Sequence, residues 1–154
     1  MRLWHKDLIC VLPRKQLISQ WWECCCIAKN IATNNTPNHI LVNKIMDYPL
    51  AHFYYYSSMV IGEMWRRGYS VSKEVYTNFI NNFQKMQEEG KLEKGFLELY
   101  FKLNDSDIFY NWHNERYLKQ CFYNLQEKFD CNGITLAEYQ LILSKVKLNL
   151  KIDV

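Results

Sequence analysis

Glu23 carries the carboxylate near the start of the chain that could take part in acid–base chemistry. On a helix that follows Pro13, spacings of three and four residues place Glu23 on a polar stripe with Gln16, Ser19 and Gln20. Another stripe of the same helix is apolar and comprises Leu17, Trp21, Cys25 and Ala28. A glutamate on a polar helix face is usually only solvated, so the spacing by itself leaves its role open.

The cysteines and histidines do not form a metal-binding or disulfide pattern. Three of the six cysteines are consecutive, at Cys24, Cys25 and Cys26, and no C-x-x-C pair occurs. The four histidines are widely separated, which does not match the ligand spacing of structural zinc sites. We therefore expect buried thiols, no metal and no cofactor.

Helical spacing and capping residues predict the elements that must position Glu23. A first helix is expected from Pro13 to about Asn30, because proline is tolerated in a first turn. A loop at 33–37 and a short segment at 39–46 should follow. Asp47 and Pro49 then predict a capped helix that ends at the basic pair and glycine of 66–68.

Four further segments complete the prediction. Ser72 should cap a helix that ends at Gly90, and 92–103 forms another short helix before a break at 104–107. Helical spacing then resumes up to 132–133, with Asn114 as a cap or, alternatively, as part of a polar–aromatic surface at 111–117. Residues 135–138 (TLAE) form a capping box that opens a last helix to about 150.

These patterns predict an all-α fold, a compact bundle of about five to seven helices in a single domain over 1–154. Hydrophobic residues make up 49% of the chain, enough for a core, and five glycines and three prolines are too few for a β-sandwich. No apolar run reaches the about 20 residues of a membrane span. No secretory signal opens the sequence, so we expect no membrane association and a cytoplasmic protein.

Charge and aromatic content permit a nucleic-acid partner without requiring one. The formal net charge is +3, and aromatic residues make up 16% of the chain. Aromatic rings can stack on bases, although most rings of a small domain belong to its core. The sequence does not fix the oligomeric state, and a monomer is our expectation.

Several segments resemble the pyrimidine-dimer DNA glycosylases of the phage endonuclease V type. The resemblance is strongest over residues 1–70, weak beyond Ser72, and closest to the uncharacterised bacterial and archaeal members. The segments that carry it are 1–8 (MRLWHKDL), 12–17 (LPRKQL), 22–25 (WECC), 37–39 (PNH) and 60–69 (VIGEMWRRGY).

The resemblance implies a repair glycosylase and endonuclease with AP-lyase activity, in which the α-amine of Met1 is the nucleophile and Glu23 assists. An α-amine has a reference pKa of about 7.7–8.0, so roughly a tenth is neutral at pH 7. The amine would attack C1′, expel the base and form a Schiff base, from which β-elimination cuts the strand. Amine and carboxylate should then share one groove, about 4–6 Å apart.

The expected partner is double-stranded damaged DNA, because a dimer stacks poorly and makes kinking or base extrusion less costly there. Arg2 lies next to the reacting sugar and could grip a phosphate. The basic pairs at 14–15 and 66–67 are further candidates for phosphate contacts. The alternative is that their charges are only solvated at the surface. The full set of candidate DNA contacts is Arg2, His5, Arg14, Lys15, Gln16, Trp22, His39, Arg66 and Arg67.

The sequence departs from the family pattern at three points that bear on function, one of which is that residues 24–27 (CCCI) bring no basic side chain one turn beyond Glu23. Arg2 follows Met1, and a bulky second residue generally prevents removal of the methionine, so Met1 itself would supply the amine. Trp22 stands where the family usually has an arginine, and an indole can stack but cannot clamp a phosphate. These departures keep open a second hypothesis, a non-catalytic DNA- or protein-binding helical module that retains the fold.

Overall fold

The computed structural model describes residues 1–150, with side chains described through residue 149. Within that range the fold is all-helical and contains no strand, as the sequence predicts. Two 3₁₀ helices cover Lys6–Val11 and Asn43–Asp47. The α-helices are α1 (Arg14–Asn34), α2 (Leu50–Arg66), α3 (Lys73–Glu88), α4 (Phe96–Lys102), α5 (Glu115–Asp130) and α6 (Leu136–Leu150).

The local caps that the sequence predicts are present at three helix starts. The Ser72 hydroxyl accepts from the Val75 N–H at 3.3 Å, and the side chain of Asn114 caps α5. Thr135 and Glu138 form a reciprocal capping box, with distances of 3.1 and 3.2 Å between each backbone N–H and the other side chain. Such caps occupy N–H groups that a helix start leaves without partners.

The start of α2 differs from its prediction, because Asp47 does not cap it. Asp47 closes the second 3₁₀ helix, and Pro49 precedes α2 without a side-chain cap. A carboxylate from the segment before α4 takes that position, where Glu93 accepts from the Ala51 N–H at 2.9 Å. The start of α1 is arranged in the same way, since Glu138 accepts from the Arg14 N–H at 3.0 Å.

Helix α1 packs against both α2 and α3, and α6 packs against α5 and the first 3₁₀ helix. A continuous set of buried apolar side chains extends from Leu3 to Val146 and includes the fully buried Phe53 and Phe122. The segment that opens the chain is therefore a part of this core and not a peripheral arm. No helix in the described range combines the length and apolar character needed to cross a bilayer.

Candidate active site

The first residues of the chain lie against α1 and are held there by backbone hydrogen bonds. The Arg2 N–H donates to Glu23 Oε2 at 3.1 Å, and the Arg2 carbonyl accepts from Gln20 Nε2 at 2.8 Å. The Trp4 N–H donates to Gln20 Oε1 at 2.7 Å. Because Gln20 and Glu23 are three residues apart, one face of α1 presents both side chains to the same segment.

Two tyrosines fix the segment from its other side. The Tyr56 hydroxyl of α2 donates to the Trp4 carbonyl at 2.6 Å and lies 3.0 Å from Gln20 Oε1. The Tyr117 hydroxyl of α5 donates to the Leu3 carbonyl. Burial raises the pKa of both hydroxyls well above the usual range, which keeps them protonated as donors. Residues 2–4 are thus held in a single conformation.

This anchoring limits how far the Met1 nitrogen can lie from Glu23. Adjacent backbone nitrogens are at most about 3.7 Å apart, so the 3.1 Å bond of Arg2 keeps the Met1 nitrogen within about 7 Å of Glu23 Oε2. Among the ion pairs of residues 1–150, none joins that amine to a carboxylate. Met1 is 38% exposed and Glu23 is half-buried, so solvent reaches the terminus.

An open groove lies beside this terminus, with a volume of about 540 Å³. Arg2 connects the two features, because its backbone N–H contacts Glu23 and the residue also lines the groove. The Arg2 guanidinium lies 5.4 Å from the ring centre of Trp4, a cation–π contact that orients it. The groove is lined by Arg2, Ile40, Leu41, Lys44, Asn111, Trp112, Asn114, Arg116, Tyr117 and Gln120.

The far wall of the groove, residues 111–120, is tied to the start of the chain by buried polar groups. His113 Nδ1 accepts from the Lys6 N–H at 2.9 Å, and the His113 carbonyl accepts from His5 Nε2 at 2.9 Å. The Lys6 ammonium donates to the carbonyls of Ser106 and Ile108 at 3.0 and 2.7 Å. Burial lowers the pKa of His5, of His113 and of Lys6.

Some of the other sequence-derived candidates are exposed to solvent, and the rest make contacts within the protein. Arg14 is exposed and stacks on the Tyr69 ring at 4.3 Å. Trp22 is 53% exposed, next to Glu23 on α1. Lys15 is exposed and Gln16 is half-buried on the same helix.

Three candidates are buried or hydrogen-bonded within the protein. His5 is only 2% exposed, and we leave it out of the DNA-contacting set. His39 is half-buried, and its Nδ1 accepts from the Leu41 N–H. Arg67 donates to Glu63 and, at 2.7 Å, to the Leu12 carbonyl, so its guanidinium serves packing.

Arg66 also bonds Glu63, at 2.8 Å, but its side chain is 66% exposed. Burial opposes the ionisation of Glu63, yet the hydrogen bonds from the two arginines outweigh it and hold the pKa of Glu63 below its ordinary value. Arg66 therefore keeps a free face toward solvent.

Sequence reasoning did not assign site roles to several residues that the fold brings here. They are Gln20, Lys44 and Tyr56, whereas Arg116 and Tyr117 belong to the 111–117 segment that the sequence offered as an alternative DNA-facing surface. The sequence could have indicated a site role for Gln20, because Gln20 lies on the same polar stripe as Glu23. The others come from distant parts of the chain, and no spacing rule relates them to Glu23.

The family model for pyrimidine dimer DNA glycosylase matches residues 1–77. This match covers half of the chain, and the protein belongs to the pyrimidine dimer DNA glycosylase family. Membership supports a DNA repair glycosylase role in general, with DNA as the substrate. Comparisons with curated proteins and with solved structures give no significant match. The matched region contains Met1, Arg2, Gln20, Glu23 and Tyr56.

Proposed function

We propose that this protein is a DNA glycosylase with AP-lyase activity on pyrimidine dimers or related damaged bases in double-stranded DNA. Family membership supports the glycosylase part of the proposal. The observation that carries the mechanism is the 3.1 Å hydrogen bond from the Arg2 N–H to Glu23, because it places the chain terminus beside a carboxylate. The proposal takes Met1 as the first residue of the native chain.

In the first step the neutral amine of Met1 attacks C1′ of the damaged nucleotide. A C–N bond to the protein forms while the glycosidic bond breaks, and the base leaves with the bonding electron pair and a proton. The nearby Glu23 carboxylate stabilises the positive charge that develops on the sugar. The sugar ring then opens to a Schiff base, for which Glu23 can transfer protons.

Strand cleavage follows from the same intermediate. Loss of a proton from C2′ and departure of the 3′ phosphate with its electron pair give the β-elimination product. The Glu23 carboxylate can accept that proton, since it lies on the same side of α1 as the terminus. General-base assistance of this kind contributes about 10²–10⁴-fold in rate.

The groove beside the terminus supplies positive charge for the DNA backbone. Arg2, Lys44 and Arg116 lie around it, and each can bind a phosphate. A pyrimidine dimer weakens local stacking and pairing, so deforming the duplex into this groove costs less at a lesion than elsewhere.

We also propose that the described residues, 1–150, act as one domain; the last four residues of the predicted domain over 1–154 lie outside the described residues. One continuous core contains side chains from Leu3 through Val146, and the groove is built from both halves of the chain. The cytoplasmic location and the monomeric state remain predictions.

Trapping with borohydride tests the proposal, since borohydride reduces a Schiff base to a stable adduct. The wild type should form a covalent adduct with duplex DNA that contains a dimer, and Glu23→Gln should lower its yield at least about 100-fold. Glu127→Gln, an exposed change on α5, is the matched control and should behave as the wild type.

Acetylating the terminal amine, after mass spectrometry has verified that the native chain begins at Met1, should abolish the adduct. A normal yield from the acetylated protein would exclude the amine as nucleophile. Trapping at a lysine identified by peptide mapping would exclude it as well.

The exposed indole of Trp22 favours the second candidate, a non-catalytic binding module. It is 53% exposed and precedes Glu23 on α1, and it offers a stacking surface in place of a phosphate clamp. Borohydride trapping separates the enzyme from a non-catalytic DNA-binding module, and a salt titration separates either of these from a protein-binding module. Binding through phosphates weakens steeply with salt, whereas a protein-binding module should show little affinity for DNA at any salt concentration.

A further inference from the structure

Two aliphatic side chains project into solvent from the turn between α1 and the second 3₁₀ helix. Ile40 is 84% exposed and Leu41 is 51% exposed. Exposing large aliphatic groups forgoes the free energy that burial provides. The neighbouring Val42 and Pro37 are buried, so the chain turns two adjacent large apolar residues outward at this point.

The turn that carries these side chains is internally bonded. The His39 carbonyl accepts from the Val42 and Asn43 N–H groups at 3.0 and 2.9 Å, and the His39 N–H donates to Asn43 Oδ1 at 3.1 Å. Asn38 adopts a left-handed φ of 62°, which asparagine tolerates better than most residues. Ile40 and Leu41 are therefore presented by a defined turn.

Both side chains line the cationic groove beside the chain terminus. They face a wall that includes Trp112, and the basic residues Arg2, Lys44 and Arg116 lie among the lining residues. Among the described residues that line this groove there is no aspartate or glutamate. The charge of the groove complements a polyanion, and the polyanion that the family match implies is DNA.

We propose that Ile40 and Leu41 form a wedge that enters the duplex beside the lesion and unstacks neighbouring bases. Proteins that kink DNA commonly insert isoleucine, leucine or similar side chains between base steps while cations hold the flanking phosphates. Unstacking opens the duplex at the lesion, beside the terminal amine next to Arg2. The inference rests on the proposed function for its substrate, but it concerns how DNA is deformed and not how it is cut.

The test measures base unstacking separately from chemistry. A duplex carries a stable abasic-site analogue next to a fluorescent adenine analogue, whose emission rises when it leaves the stack. Wild-type protein should raise that emission on binding, and the double variant Ile40→Ser with Leu41→Ser should lose most of the rise. Leu141→Ser, at a residue 59% exposed on α6 and outside the groove, is the matched control and should retain it.

Borohydride trapping on duplex and on single-stranded abasic DNA gives the second readout. The double variant should lose about 10-fold more adduct on the duplex than on the single strand, because only the duplex has stacked base pairs that the wedge must part. Equal losses on both substrates, or an undiminished emission rise in the double variant, would overturn the wedge.

The two proposals fail in different ways. A wild type that traps DNA but never raises the emission refutes the wedge and leaves the chemistry intact. A wild type that raises the emission but traps nothing refutes the chemistry, and loss of the rise in the double variant would still support the wedge.

Discussion

Gln20 and Glu23 lie three residues apart on α1 and bond the two ends of the same peptide stretch, Gln20 at Trp4 and Glu23 at Arg2. Gln20 also donates to Glu23 Oε2 at 3.2 Å, so the carboxylate is held in place by the residue that anchors the chain. Rigid support of this kind keeps reacting groups near their working geometry. The predictions below separate this support from the chemistry.

Replacing Gln20 by leucine should destabilise the protein by about 1–3 kcal/mol, the usual cost of buried polar groups left without partners. Gln20 is 1% exposed, and its loss leaves the Trp4 N–H unbonded. Urea unfolding measures the change. Ser19→Ala, at an exposed position of the same helix, should change the free energy of unfolding little, and an equal loss in both variants would argue against a specific anchor.

Replacing Glu23 by glutamine should reduce turnover while leaving the fold intact. The amide oxygen can still accept from the Arg2 N–H, but it carries no charge to stabilise the sugar cation. We expect a fall of about 10²–10⁴-fold in single-turnover rate with an unfolding midpoint close to that of the wild type. A parallel fall in stability would indicate that Glu23 has a structural role only.

Replacing Trp22 by arginine should strengthen DNA binding, because it restores a cation at an exposed position beside the site. One new phosphate contact should steepen the dependence of log affinity on log salt by about 0.9. Fluorescence anisotropy over a range of salt concentrations measures both quantities. Trp22→Gln is the control, and an unchanged slope in the arginine variant would place this face outside the DNA footprint.

Stability should fall as the pH is lowered through about 6.5, because burial lowers the pKa of His113 well below its ordinary value of 6.5. The unfolded chain then binds a proton that the folded protein excludes. The free energy of unfolding that the neutral, buried His113 supports is therefore fully present above about pH 6.5 and decreases below it. Urea unfolding between pH 7.5 and pH 5.5 measures the effect.

His113→Asn serves as the partner variant in that experiment, since an amide oxygen can accept from the Lys6 N–H in place of Nδ1. Its stability should depend less on pH than that of the wild type. Burial also lowers the pKa of His5 and His52, so part of the dependence will remain. An unaltered pH dependence would mean that His113 does not titrate on unfolding.

Removing either long-range cap should destabilise the helix that it serves. Glu93→Ala frees the Ala51 N–H of α2, and Glu138→Ala frees the Arg14 N–H of α1 and opens the capping box of α6. We expect a loss of about 1 kcal/mol for Glu93→Ala and a larger loss for Glu138→Ala, which serves two helices. Glu98→Ala, at an exposed position of α4, is the control for thermal unfolding.

Local sequence determined the helices and their own caps. Ser72, Asn114 and the Thr135–Glu138 pair each act on backbone groups within about four residues, and interactions over so few residues can be recognised in the sequence. The same holds for the polar stripe that aligns Gln20 with Glu23. The family resemblance over the first half of the chain was likewise a property of the sequence, and the family match supports it.

Tertiary structure decided what the ends of these helices and the site residues contact. Glu93 caps α2 in place of Asp47, and the predicted end of α1 near Asn30 moves to Asn34. His5 became a buried donor to a carbonyl 108 residues away, although its position next to the terminus suggested DNA contact. These outcomes depend on which surfaces meet when helices pack, and that is set by the whole core and not by spacing along the chain.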